Sequence, residues 1–118
     1  MREADNRRHL RAEVQVPVRY RETFGSNPTQ YRGAQTKDIS IGGLRFQTDT
    51  FIAHDTRVIF EIHLPSSPKP VRAISSVTWT RAISSGIRYE VGSRFTDIIP
   101  SEKKLLEEFL NRPLSGRA

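Results

Sequence analysis

A chain of 118 residues without a cysteine is sized for one domain around one core, and it can form no disulfide, thiolate metal site or cysteine nucleophile. Nineteen Lys and Arg against thirteen Asp and Glu give a net charge of +6 and a pI near 10.3, which implies an anionic partner: nucleic acid, nucleotide, phosphate or an acidic protein. No stretch reaches the roughly 18 apolar residues of a membrane span, and the basic N-terminus lacks the apolar run of a secretory signal, so a cytoplasmic protein is expected.

Residues 1–12 include "NRRHLR" at 6–11 and show no apolar periodicity, so they read as a flexible, arginine-rich arm. From 13 to 21, "EVQVPVRYR" alternates: Val14, Val16, Val18 and Tyr20 share one face, and Pro17 on the other suits a sheet edge or the start of a ladder. The Gly, Asn and Pro of 22–30 mark a loop, and a second strand runs over about 31–39 to break at "SIGG". Alternation resumes with Leu44 and Phe46 inward, then with Val58, Phe60, Ile62 and Leu64 over 57–64. After the turn "PSSPKP", strand signals return at 71–81 and 86–96. In "PSEKKLLEEFLNRP" the period changes: Leu105, Leu106, Phe109 and Leu110 define one helical face, with Ser101 as cap, Glu102 in the first turn and Pro113 as the stop.

About six strands at short, regular spacing argue for an antiparallel barrel or sandwich, followed by one amphipathic helix. The domain is expected over 13–112, with 113–118 a loose tail. The initiating Met1 suggests a stand-alone protein.

Enzyme chemistry finds little support. His9, His54 and His63 lack metal-ligand spacing, no serine lies in a GxSxG elbow, and the glycines form neither a P-loop nor GxGxxG. No catalytic or metal site and no cofactor is expected.

Two short motifs carry more. Arg7 and Arg11 have the spacing RxxxR with Arg8 between them. Arginine presents a rigid fork that pairs with phosphate oxygens or with guanine O6 and N7, and its plane stacks on a base. Taken alone, the run reads first as a solvated basic tail. In "DISIGG" at 38–43, Asp38 is suited to accept the adjacent N1–H and N2–H2 donors of guanine, and Ser40 would point the same way from a strand. Gly43 would allow positive φ and a close approach by a ligand. This motif alone is also a common strand-turn pattern, with Asp38 bonding nearby amides.

Together, RxxxR before a first strand and D-x-S-x-x-G some thirty residues later resemble the PilZ domain family, the bacterial receptor module for cyclic di-GMP. "PVRY" at 17–20, "DISIGGLRF" at 38–46, "VTWTR" at 77–81, "YEVGSRFTDI" at 89–98 and the closing helix extend the resemblance over nearly the whole chain. The resemblance implies a six-stranded antiparallel β-barrel with a C-terminal helix, in agreement with the count from periodicity. It further implies that Arg7, Arg8 and Arg11 bind phosphates and guanine Hoogsteen edges, and that Asp38, Ser40 and Gly43 hold a guanine on the barrel surface. Trp79 and Phe95 fall in family-like strands and are expected in the core.

The implied function is that of a non-catalytic receptor for cyclic di-GMP whose arm orders on binding and relays the signal to a partner protein, as a monomer or a ligand-linked dimer. Two competing readings are an adaptor of the same fold that binds no nucleotide, and a basic single-strand nucleic-acid-binding barrel. The latter class exposes aromatics on a basic face, whereas most aromatics here fall at inward strand positions. No stable nucleic-acid partner is therefore expected.

Overall fold

The computed structural model describes residues 11–12 (by backbone only), 15–23, 30–65, 67–83 and 87–111. Its elements are β1 (Arg11–Ala12), β2 (Pro17–Glu22), β3 (Arg32–Ser40), β4 (Gly43–Thr48), β5 (Arg57–Ile62), β6 (Val71–Ile83), β7 (Arg88–Ile98) and α1 (Pro100–Leu110). The strands β3, β2, β5, β6, β7 and β4 pair antiparallel in that order, and the further pairing of β3 with β4 closes a six-stranded barrel. The short β1 pairs with the end of β3, Arg11 opposite Ser40, along the edge that β2 pairs with farther up.

The strand expected over 13–21 thus begins only at Pro17. Proline has no N–H for the ladder and fits a strand's first position. Between β1 and β2 the line is carried by Val16, whose N–H donates to Thr36 Oγ1 at 3.0 Å and whose carbonyl accepts the Thr36 N–H at 3.0 Å. Val14 and the 113–118 tail lie outside the described residues.

Alternation builds the interior. Val16, Val18, Tyr20, Leu44, Phe46, Val58, Phe60, Ile62, Leu64, Val71 and Val77 are all buried. Tyr20, Phe46 and Phe60 form an aromatic centre, with ring centroids 4.9 Å apart for Tyr20 and Phe46 and 5.4 Å, edge to face, for Phe46 and Phe60. The Tyr20 hydroxyl, the polar end of this cluster, shares a 2.8 Å hydrogen bond with Thr48.

Two one-residue bulges decide what the outer surface carries. Thr36 opposes Phe46 but Asp38 opposes Arg45, so Lys37 is an extra residue in β3. Beyond it the parity reverses: Ile39 enters the core opposite Leu44, and Asp38 and Ser40 turn to the outer face. In β6, Val77 opposes Ser93 and Trp79 opposes Gly92, which makes Thr78 the extra residue. Val77 is buried and Trp79, two positions on, is outside.

The helix begins differently from the expectation. Its N-cap is Ile99, without a side-chain cap bond, and Pro100 occupies the first turn, so Ser101 is inside the helix and is not the cap. The fixed φ and missing N–H of proline suit that position and draw the helix start one residue earlier. Glu102 works in tertiary contact: its Oε1 accepts the Arg72 N–H at 2.7 Å and ties α1 to β6. Leu106 is buried, Phe109 and Leu110 pack against the core, and Leu105 is turned toward solvent.

Candidate functional site

On the outer face, one row of residues crosses four strands in register. Asp38 of β3 opposes Arg45 of β4, Arg45 opposes Gly92 of β7, and Gly92 opposes Trp79 of β6. This row forms the floor of a hollow of about 540 Å³, whose walls include Ser40, Gly43, Arg94 and Phe95. The strand register thus brings a carboxylate, guanidinium groups and an exposed indole to one surface.

Charge pairing organises the row. Arg45 Nη2 lies 2.6 Å from Asp38 Oδ2, and its Nη1 lies 3.9 Å from Glu90 Oε2. Arg81, the cross-strand partner of Glu90, donates from Nε at 3.1 Å and from Nη2 at 2.6 Å to Glu90 Oε1. The Arg81 guanidinium also stands 6.0 Å from the Trp79 ring centroid. Asp38 is 2% exposed and Glu90 4%. Burial by itself would push the Glu90 carboxyl up, but the Arg81 hydrogen bond and the charges of Arg45 and Arg81 outweigh it and hold the group below its ordinary value of 4.5. Glu90 is therefore a carboxylate at neutral pH, clamped between two arginines.

Two glycines shape the hollow. A Cβ at Gly43 would collide with the Ser93 backbone carbonyl, and one at Gly92 would collide with the Trp79 indole, which lies across that glycine. At Gly43 the requirement is this close approach of β7 and not the positive φ expected from the sequence, since its φ lies outside the left-handed region. Ser40 Oγ accepts the Gly42 N–H at 3.2 Å and reaches the Gly43 carbonyl at 3.3 Å, so it stabilises the β3–β4 turn while facing the hollow.

Of the residues singled out in the sequence, Asp38, Ser40 and Gly43 come together in this hollow. The backbone of Arg11 pairs with Ser40, which brings the end of the N-terminal segment to the same turn. Arg7 and Arg8 lie outside the described residues. Trp79 is corrected from core to surface: it is 38% exposed, because the Thr78 bulge reverses the parity that simple alternation assigns. Phe95 packs against the core from a half-buried position.

Among the described residues the aromatics divide, five of nine being buried in the core or packed against it. Tyr20, Phe46 and Phe60 are buried, Phe51 and Trp79 are exposed, and Tyr31, Tyr89, Phe95 and Phe109 are half-buried. Sequence reasoning missed Arg45, Glu90 and Arg81. Alternation with core residues signals an outer face for Arg45 and Glu90, whereas Arg81 shares the parity of Val77 and reaches the outer face only through the Thr78 bulge, and nothing local shows that three separate strands bring them into contact.

A second hollow, of about 660 Å³, opens where β3 and β4 part above the Thr36 and Phe46 pair, with Arg32, Lys37 and Arg88 among its lining residues. It contains none of the residues nominated from the sequence. Among the described residues there is no cluster of His, Cys, Asp and Glu able to hold a metal, and no helix long and apolar enough to cross a membrane.

Comparison with known proteins matches residues 5–112 to the model of the PilZ domain. Among solved structures, the chain is similar to the Bacillus subtilis inhibitor of motility MotI/DgrA at 15% identity and a TM-score of 0.73, covering 95% of this chain and 53% of that one. It is similar to the PilZ domain of YcgR from Escherichia coli with c-di-GMP at 12% identity and a TM-score of 0.61, covering 88% of each chain. It is likewise similar to the K. pneumonia MrkH–c-di-GMP complex at 19% identity and a TM-score of 0.64, covering 94% of this chain and 54% of that one. At these identities the likeness is one of fold, and the chain spans about half the length of MotI/DgrA and of MrkH. No match was found among curated proteins.

Proposed function

Because this chain belongs to the PilZ domain family, we propose that it is a receptor for cyclic di-GMP, with the nucleotide held in the hollow that contains Asp38, Ser40, Gly43 and Trp79. The observation that carries this reading is the meeting of the D-x-S-x-x-G residues with an exposed indole and an arginine-rich surface on one barrel face. The family's domains are receptors and adaptors, and two structural neighbours, YcgR and MrkH, were solved with c-di-GMP.

The chemistry suits the ligand. Cyclic di-GMP carries two phosphates and two guanines and no long apolar body, so its affinity comes from charge-assisted hydrogen bonds and stacking. In this reading Asp38 accepts from a guanine Watson–Crick edge, Ser40 supports that contact, and the Trp79 face offers a stacking surface. Arg7, Arg8 and Arg11 supply the forks for phosphates and Hoogsteen edges. Ordering of the arm over the barrel then presents a new surface to a protein partner in the cytoplasm, and the domain signals without catalysing a reaction.

Isothermal titration with cyclic di-GMP, with GTP and a short single-stranded oligonucleotide as controls, tests the reading. Saturable binding of cyclic di-GMP alone is expected, lost on Arg7→Ala, Arg11→Ala or Asp38→Ala and reduced less by Arg8→Ala. No heat with cyclic di-GMP, or affinity that survives all three of the first substitutions, contradicts it. Salt-steep binding of the oligonucleotide alone would move the assignment to a nucleic-acid-binding barrel.

A further inference from the structure

Glu90 belongs to neither of the two sequence motifs, yet it is the most enclosed charge behind the hollow after Asp38. It holds two arginines at once. Through Oε2 it faces Arg45, whose other amino group grips Asp38, and through Oε1 it accepts both donors of Arg81, whose guanidinium stands beside the Trp79 ring. A continuous line of contacts therefore runs from the carboxylate on one side of the hollow to the indole on the other.

We propose that Glu90 is a positioning residue for the nucleotide site, fixing Arg45 against Asp38 and Arg81 against Trp79 so that the hydrogen-bonding and stacking elements are set before the ligand arrives. This inference rests on the nucleotide-binding reading above and extends it to a residue outside both motifs.

The physical case has three parts. A buried carboxylate is costly unless it is paired, so its retention on the outer face of a barrel needs a reason beyond packing. The line is electrically balanced, with Asp38 and Glu90 against Arg45 and Arg81. Among the described residues Arg45 Nε is buried without a hydrogen-bond partner, and the guanidinium is held there through its two amino groups, one on each carboxylate. Removing the Glu90 charge frees one end of Arg45 and leaves it to reorient on Asp38. It also weakens the hold on Arg81, both of whose donors end on the one oxygen Oε1, and with it the placement of the group beside the indole. A ligand group held loosely binds weakly even when every contacting residue is present.

The test uses the chain's single tryptophan, which is Trp79 itself. The emission of wild type, Glu90→Gln, Arg81→Gln and Phe109→Ala is recorded with and without cyclic di-GMP, together with the thermal midpoint of each. Phe109 lies on α1, away from the hollow, and serves as a stability control. Glu90→Gln is expected to shift free-protein emission to longer wavelength and to weaken binding about 10–100-fold, by analogy with the loss when a side chain that orients a metal ligand is removed. Arg81→Gln, at an exposed side chain, should shift emission in the same direction and weaken binding less. Phe109→Ala should lower the midpoint while leaving emission and affinity at wild-type values.

Wild-type emission and affinity in Glu90→Gln overturn the proposal. So does an equal loss of affinity in Phe109→Ala, which would mark the effect as one of stability. If wild type itself does not bind, the nucleotide reading falls and the positioning role falls with it, an outcome seen in the wild-type titration before any variant is compared.

Discussion

The inside of this barrel and the outer face of β3, β4, β7 and β6 are both closely packed, but they are held by opposite means. Inside, Tyr20, Phe46 and Phe60 pack with aliphatic neighbours, and the polar tip of this ring cluster, the Tyr20 hydroxyl, is satisfied by Thr48. Outside, Asp38 and Glu90 are nearly as inaccessible as the core, yet they are held by arginines. The interior draws its stability from apolar area removed from water. The outer row buys fixed orientation of polar groups, for which burial is a cost that pairing has to offset. Substitutions should therefore separate the two regions, the interior reading out in stability and the row in binding and in pH dependence.

The largest effect is expected from Phe46→Ala, at a fully buried site between two other rings. Chemical denaturation should show a loss of about 3–5 kcal/mol, typical of truncating a buried phenylalanine. A loss below about 1 kcal/mol would mean that the centre is not the tightly packed core it is taken to be.

Gly43→Ala sharpens the comparison, because Gly43 joins the two regions. Its Cβ would run into the Ser93 carbonyl, a backbone atom that can move only if β7 moves. Overpacking of this kind costs about 1–3 kcal/mol. The displaced strand also carries Glu90 and Gly92, so nucleotide binding should fall further than stability does. Gly92→Ala makes the useful contrast: there the obstacle is the Trp79 side chain, so emission should change more than the unfolding midpoint.

The smallest effect is one of pH. The Glu90 carboxyl is held below 4.5 in the folded chain, so its stabilising contribution is fully present above that value and is lost as pH falls through the lower, folded-state pKa. Stability profiles of wild type and Glu90→Gln should run parallel from neutrality to about pH 5 and converge below 4.5, with wild type losing more. Profiles that stay parallel through the acid range would contradict the paired state of Glu90.

Much of the fold is written in period-two alternation. Val18 and Tyr20, Leu44 and Phe46, and Val58, Phe60 and Ile62 all point inward as the pattern requires. The D-x-S-x-x-G residues were legible too, since Asp38, Ser40 and Gly43 lie within six positions at one turn. What could not be read is where alternation skips. Lys37 and Thr78 are ordinary strand residues by type, yet each is the extra member of a bulge. The second bulge moves Trp79 from an expected core position to the surface. The charged row escaped notice for a related reason: Arg45, Arg81 and Glu90 meet only through pairings between strands distant in sequence.

The most direct test of the central claim is a map of backbone amide chemical shifts during titration of the isotope-labelled chain with cyclic di-GMP. Saturating changes concentrated at residues 38–45, 78–81 and 90–95 and in the N-terminal arm, with the Trp79 indole N–H among the largest, are expected. Changes centred instead on the hollow between Arg32 and Arg88, or none at saturating nucleotide, would contradict it.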